Sequence, residues 1–114
     1  MNKKIKVFTL VMALMLIISS VAFAADNTSL YNWRYGHNTL KRGHTGEYVR
    51  NLQEDINSTR GQTKAYCGAA DGIFGKNTYD GVCQYQKKRG LTQDGQAGNK
   101  TKTKLIGEVW HMYP

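Results

Sequence analysis

Residues 71–78 read DGIFGKNT, and residues 94–101 read DGQAGNKT. Both fit the pattern D-G-x-x-G-x-x-T. In both, an apolar residue follows the Thr by four positions, Val82 in the first case and Leu105 in the second. Asp-Gly is turn chemistry: the Asp side chain bonds backbone downstream of itself, and Gly accepts a positive φ. The second glycine allows close backbone approach at a helix entry. The Thr then falls in the first helical turn, where its hydroxyl can bond local backbone. A pattern of this kind turns the chain and launches a helix at a fixed angle. Written twice, it predicts two helices launched alike. Asp71, Gly72, Gly75, Thr78, Asp94, Gly95, Gly98 and Thr101 are therefore expected to be scaffold.

Periodicity supplies the helices. Val49, Leu52 and Ile56 lie at i, i+3 and i+7 in EYVRNLQEDINS, which predicts a helix with one apolar face over 47–58. Leu40 would anchor beneath it, Thr45 is a candidate N-cap, and Glu47 suits the first turn. Thr78, Val82, Tyr85 and Arg89 mark one face of a second helix, from about Lys76 to Lys88 and closed by Gly90. A third is expected from about Asn99 to Glu108. The fold class is thus all-α, a small three-helix bundle built from a duplicated turn-helix unit. Residues 25–39 show no helical period. Tyr31, Trp33 and Tyr35 alternate there, as in an aromatic lead-in arm or one short strand. The tail at 109–114 should fold back over the domain.

The N-terminus constrains where the domain works. MNKKIK is followed by an apolar run ending in Ala22-Phe23-Ala24. Residues 1–24 read as a secretory signal peptide, with the A-x-A site and Ser19-Ser20 favouring cleavage over retention as a membrane anchor. Contact with a membrane would then be transient. Cleavage removes three lysines and lowers the formal charge from +8 to +5. The Lys and Arg residues are scattered apart from Lys87-Lys88-Arg89, so a nucleic-acid partner is not expected. The two cysteines, Cys67 and Cys83, suggest one disulfide in an oxidising compartment, contributing about 3 kcal/mol.

A longer set of residues now falls into order: Leu40, Gly43, Gly46, Val49, Leu52 and Gln53; Asp71-Gly72, Phe74-Gly75, Thr78, Val82 and Tyr85-Gln86; Gly90-Leu91, Asp94-Gly95, Gly98, Thr101 and Leu105. This resembles the peptidoglycan-binding domain of bacterial wall hydrolases, over about residues 40–105. Gly81 stands where that family usually has Ala, a departure that weakens a helix by up to about 1 kcal/mol. The expected bridge from Cys67 to Cys83 would compensate. Tyr85 replaces the usual Phe. The resemblance implies a non-catalytic module, over 40–108 here, that holds a protein to the cell wall. It would be secreted, extracellular or wall-associated, or periplasmic in a Gram-negative cell. Such modules usually sit beside a hydrolase, and none is expected within the roughly ninety residues after the signal. A protein partner is the alternative: a separate wall hydrolase that this chain regulates or delivers.

The catalytic inventory is thin. Glycoside hydrolysis needs two carboxylates across a cleft. Glu54 and Asp55 are expected on an exposed helix face, and Asp71 and Asp94 are occupied by turns. His37, His44 and His111 are widely spaced and lack zinc-ligand patterns. No enzyme activity, metal or cofactor is expected. For binding, sugar faces, amides and carboxylates call for aromatic platforms with a few amides and cations. The candidates are Phe74, Tyr79, Gln86 and Arg89 around the first motif, with Trp33 and Tyr35 from the arm.

Overall fold

The computed structural model describes residues 28–112. The expected signal peptide, the start of the arm at 25–27, and Tyr113 and Pro114 lie outside the described residues. The chain runs through α1 (residues 28–35), α2 (Glu47–Ser58), a single turn α3 (Arg60–Thr63), α4 (Lys76–Lys88), α5 (Asn99–Val109) and a 3-10 turn (Trp110–Met112). Among the described residues there is no strand longer than an isolated bridge. Two antiparallel bridges, Leu40 with Ala97 and Thr45 with Ile73, tie segment 40–45 to both motif turns.

The apolar stripes meet as their spacing requires. Val49, Leu52 and Ile56 of α2 are buried against Val82 and Tyr85 of α4 and Leu105, Ile106 and Val109 of α5. Leu40 and Phe74 fill the space beneath the turns. Thr45 does not cap α2. Gly46 holds that position, and no side chain caps the helix. Thr45 is instead drawn into its bridge with Ile73.

Each repeated motif closes around a buried glutamine from the preceding helix. Gln53 of α2 donates from Nε2 to Asp71 Oδ1 (3.2 Å), the Ile73 carbonyl (3.0 Å) and Thr78 Oγ1 (2.8 Å). Its Oε1 accepts the Gly72 N–H at 2.9 Å. Gln86 of α4 repeats the set on Asp94 Oδ1 (2.9 Å), the Gln96 carbonyl (2.9 Å) and Thr101 Oγ1 (3.1 Å). Its Oε1 accepts the Gly95 N–H at 3.0 Å. In each turn the Asp also accepts from the amide two residues on, Ile73 or Gln96. The intervening glycine, at φ 78° or 70°, aims its N–H at the glutamine. The motif is therefore half of a clasp, and the glutamine is the other half.

The expected bridge is not formed: Cys67 and Cys83 are both free. The reason lies in the phase of α4. The Cys67 loop rests on Gly81, where an added Cβ would come within 2.5 Å of Cys67 Sγ and 2.9 Å of the Cys67 amide nitrogen. Cys83 is two residues beyond Gly81, roughly 200° around the helix, and its thiol neighbours Tyr79. The role expected for the bridge is thereby reversed. No crosslink makes up for Gly81. Instead, the missing side chain lets the Cys67 loop lie directly on α4.

Two outcomes follow from this packing. Gln53→Ala and Gln86→Ala should each lose about 2–3 kcal/mol in urea unfolding, because each removes a buried set of hydrogen bonds and leaves a buried glycine N–H, Gly72 or Gly95, without its acceptor. Exposed Gln93→Ala should stay within about 0.5 kcal/mol of the parent. Burial pushes the Cys67 thiol up to about 12, so it stays protonated and shielded. Iodoacetamide at mildly alkaline pH should label Cys83 first and Cys67 only after unfolding. An intact mass two hydrogen atoms lighter, with no labelling, would contradict the free-thiol arrangement.

Candidate functional site

The expected arm is a helix with a defined seat. Tyr31 and Tyr35 are four residues apart, so α1 buries both on one face and turns Trp33 outward. Tyr35 donates its hydroxyl to Asp55 Oδ2 at 2.6 Å. Arg34 grips the same carboxylate in a bidentate pair, Nε to Oδ2 at 3.1 Å and a terminal nitrogen to Oδ1 at 3.0 Å. It also reaches Glu54 at 3.1 Å. Asp55, expected on an exposed face, is thus buried beneath α1. The carbonyls at the C-terminal end of α1 would otherwise be orphans. Asn51 donates to the Arg34 carbonyl at 2.8 Å. The buried Lys102 ammonium, from α5, donates to the Gly36 carbonyl at 2.9 Å and to the Asn38 carbonyl. Burial pulls the Lys102 pKa below the usual lysine range.

This seating creates a groove between α1 and the start of α2, about 560 Å³ in volume and lined by Trp33, Arg34, Thr45, Gly46, Glu47, Tyr48 and Asn51. Trp33 is 64% exposed and Tyr48 50% exposed. Tyr48 lies over Gly36, where an added Cβ would fall 2.7 Å from its ring. A shallower depression continues past Glu47 to Arg50, Asp71, Gly72 and Ile73. A separate groove runs along α5, lined by Leu91, Asn99, Lys100, Thr103, Lys104, Gly107 and Glu108.

The six candidate binding residues do not form one surface. Phe74, Tyr35 and Gln86 are buried: Phe74 is core, Tyr35 seats α1, and Gln86 is the second clasp. In the structure these three side chains are enclosed by the protein and offer no surface to a ligand. Their aromatic or amide character looked like binding chemistry but serves packing and turn closure. Arg89 bridges helices, donating to Glu108 Oε2 at 2.8 Å and Gln62 Oε1 at 3.0 Å. Glu108 also accepts the Tyr85 hydroxyl at 2.8 Å. That gives the hydroxyl introduced by Tyr85 a partner, and burial together with this bond pushes the phenol pKa up. Tyr79 is half-buried, packed on Gly95, with the Arg42 guanidinium 5.6 Å from its ring centroid. Trp33 alone of the six stands well out from the surface. Tyr48, Asn51 and Glu47 line the groove and were not among the sequence candidates. The available signal was that Tyr48 falls outside the Val49–Leu52–Ile56 stripe, leaving a large aromatic on the polar side of α2.

Among the described residues, no three His, Cys, Asp or Glu side chains are grouped to hold a metal ion. No helix there is long and apolar enough to cross a membrane.

This arrangement of helices and clasped turns has known counterparts. The chain belongs to the peptidoglycan binding domain family, which it matches over residues 45–105. It is similar to the spore cortex-lytic enzyme of Bacillus cereus, 34% identical over 103 residues, covering 90% of this chain and 36% of that enzyme. The spore cortex-lytic enzyme of Bacillus subtilis strain 168 is 32% identical over 97 residues, covering 84% of this chain and 30% of the enzyme. The chain thus spans about a third of the length of these curated relatives. The crystal structure of the SleB N-terminal domain superposes with a TM-score of 0.57 at 38% identity, covering 63% of this chain and 93% of that domain. α1 precedes the family match, so one wall of the groove comes from outside it.

Asp55→Ala should cost about 3 kcal/mol, since it removes the buried carboxylate that accepts from both the Arg34 guanidinium and the Tyr35 hydroxyl. Urea unfolding measures the loss. Limited proteolysis should show cleavage appearing first between α1 and α2.

Proposed function

We propose that this chain is an exported wall-binding module that recognises peptidoglycan and does not cut it. The observation that carries the reading is the family match over residues 45–105. Similarity to cortex-lytic enzymes over about a third of their length supports a role in holding substrate. The state of the carboxylates supports the absence of catalysis. Asp55, Asp71, Asp94 and Glu108 are each engaged in holding helices or turns. Glu47 and Glu54 face Arg50 on α2, and Asp80 pairs with Lys76 on α4. Among the described residues, an acid and base facing each other across a cleft would need two of these released. Export is part of this proposal and is supported by the reading of residues 1–24 as a signal peptide.

The lytic character of the relatives also favours a second reading, in which the module's ligand is a separate wall hydrolase that it regulates or delivers, and the module itself holds the wall only weakly. The two readings separate in one experiment. Purified chain lacking residues 1–24 is sedimented with insoluble peptidoglycan at about 0.1 M and about 1 M salt, where the screening length falls from about 10 Å to 3 Å. Wall recognition predicts retention at both. Retention at low salt alone would reduce the interaction to attraction between a basic protein and an anionic polymer. No retention at either would sink the wall-binding reading and leave the protein partner.

A further inference from the structure

The groove between α1 and α2 carries chemistry that distinguishes among the parts of a wall polymer. Its two exposed rings, Trp33 and Tyr48, come from different helices and line the same groove. Its charges are already compensated. Arg34 is held by Asp55 and Glu54, and Glu47 lies 3.6 Å from Arg50. A peptide stem carrying free carboxylates would call for a cation without an internal partner. A pyranose ring instead presents apolar C–H faces and a rim of hydroxyl and amide groups. It calls for aromatic platforms bordered by small polar side chains, and Thr45 and Asn51 supply such a border.

We infer that the groove binds the sugar rings of the peptidoglycan glycan strand, seating them against Trp33 and Tyr48. This rests on the wall-binding reading and names the part of the polymer that is read. The platforms are set before any ligand arrives. Asp55, Asn51 and Lys102 fix α1, and with it the backbone of Trp33. Tyr48 packs over Gly36, the residue that ends α1 at φ 78°. Fixed platforms lose little conformational freedom on binding, which favours even a weak sugar contact. Because α1 lies ahead of residues 45–105, half of this site is supplied by a segment outside the family match.

The test uses chain lacking residues 1–24, as wild type, Trp33→Ala and Tyr48→Ala. Each is sedimented with insoluble peptidoglycan, and the wild type is also titrated by NMR with chitotetraose and separately with a synthetic stem tetrapeptide. Chitotetraose should move the Trp33 indole N–H and the Tyr48 and Asn51 amides. Each variant should keep a cooperative unfolding transition, Tyr48→Ala at a slightly lower temperature for its lost packing on Gly36, and each should be retained about tenfold more weakly. Equal retention of all three proteins would overturn the inference and leave the wall-binding reading standing. So would shifts induced by the stem peptide along Lys100 and Lys104 with no response to chitotetraose. A wild type that is not retained would remove both. The wild-type titration decides the matter even where a variant fails to fold.

Discussion

Gln53 and Gln86 each reach out of one helix into the turn that starts the next, and the architecture follows from those two contacts. A buried primary amide offers two donor hydrogens and a carbonyl, and each glutamine spends them on an Asp, a Thr, a turn carbonyl and a glycine N–H. This satisfies backbone that the core would otherwise strand, and it fixes where α4 and α5 begin. The launching glycines need no side-chain caps because the turns are held from behind. Segment 40–45 can then bridge both turns, and α2, α4 and α5 close over a small core.

α1 depends on the same frame at one remove. Lys102 lies one residue after Thr101 of the second motif, so the clasp that sets the start of α5 also aims an ammonium at the end of α1. Asp55 lies two residues after Gln53 on α2 and receives Arg34 and Tyr35. The helix carrying Trp33 is therefore held by residues that neighbour both clasps in sequence. That relation connects a duplicated turn to a surface groove.

The parts of this fold with strong local signals were legible in the sequence. The apolar period of α2, the duplicated turns, and the starts of α4 and α5 could each be read within a dozen residues. What escaped reading depended on distant partners. Tyr31, Trp33 and Tyr35 fit a strand period of two and a helical i, i+4 pair equally well. Only Asp55 and Lys102, far along the chain, decide for the helix. Phe74 and Gln86 have chemistry suited to a ligand, and burial alone reassigns them. The cysteine count could suggest a crosslink, but the angular phase of Cys83 on α4 forbids its meeting Cys67. Trp33 could be named as an aromatic candidate alongside Tyr35, but only the fold separates the exposed ring from the buried one. Tyr48, the companion of Trp33, was not legible, because it sits amid the polar residues of an otherwise ordinary amphipathic helix.

The account requires a surface that holds the wall polymer while its carboxylates remain committed to structure. The most direct measurement follows soluble muropeptides, reducing ends and free amines by mass spectrometry and colorimetric assay while a saturating binding isotherm on purified peptidoglycan is recorded. The account predicts saturable retention with no product above the protein-free control. Release of new reducing ends or amines in proportion to bound protein would contradict it.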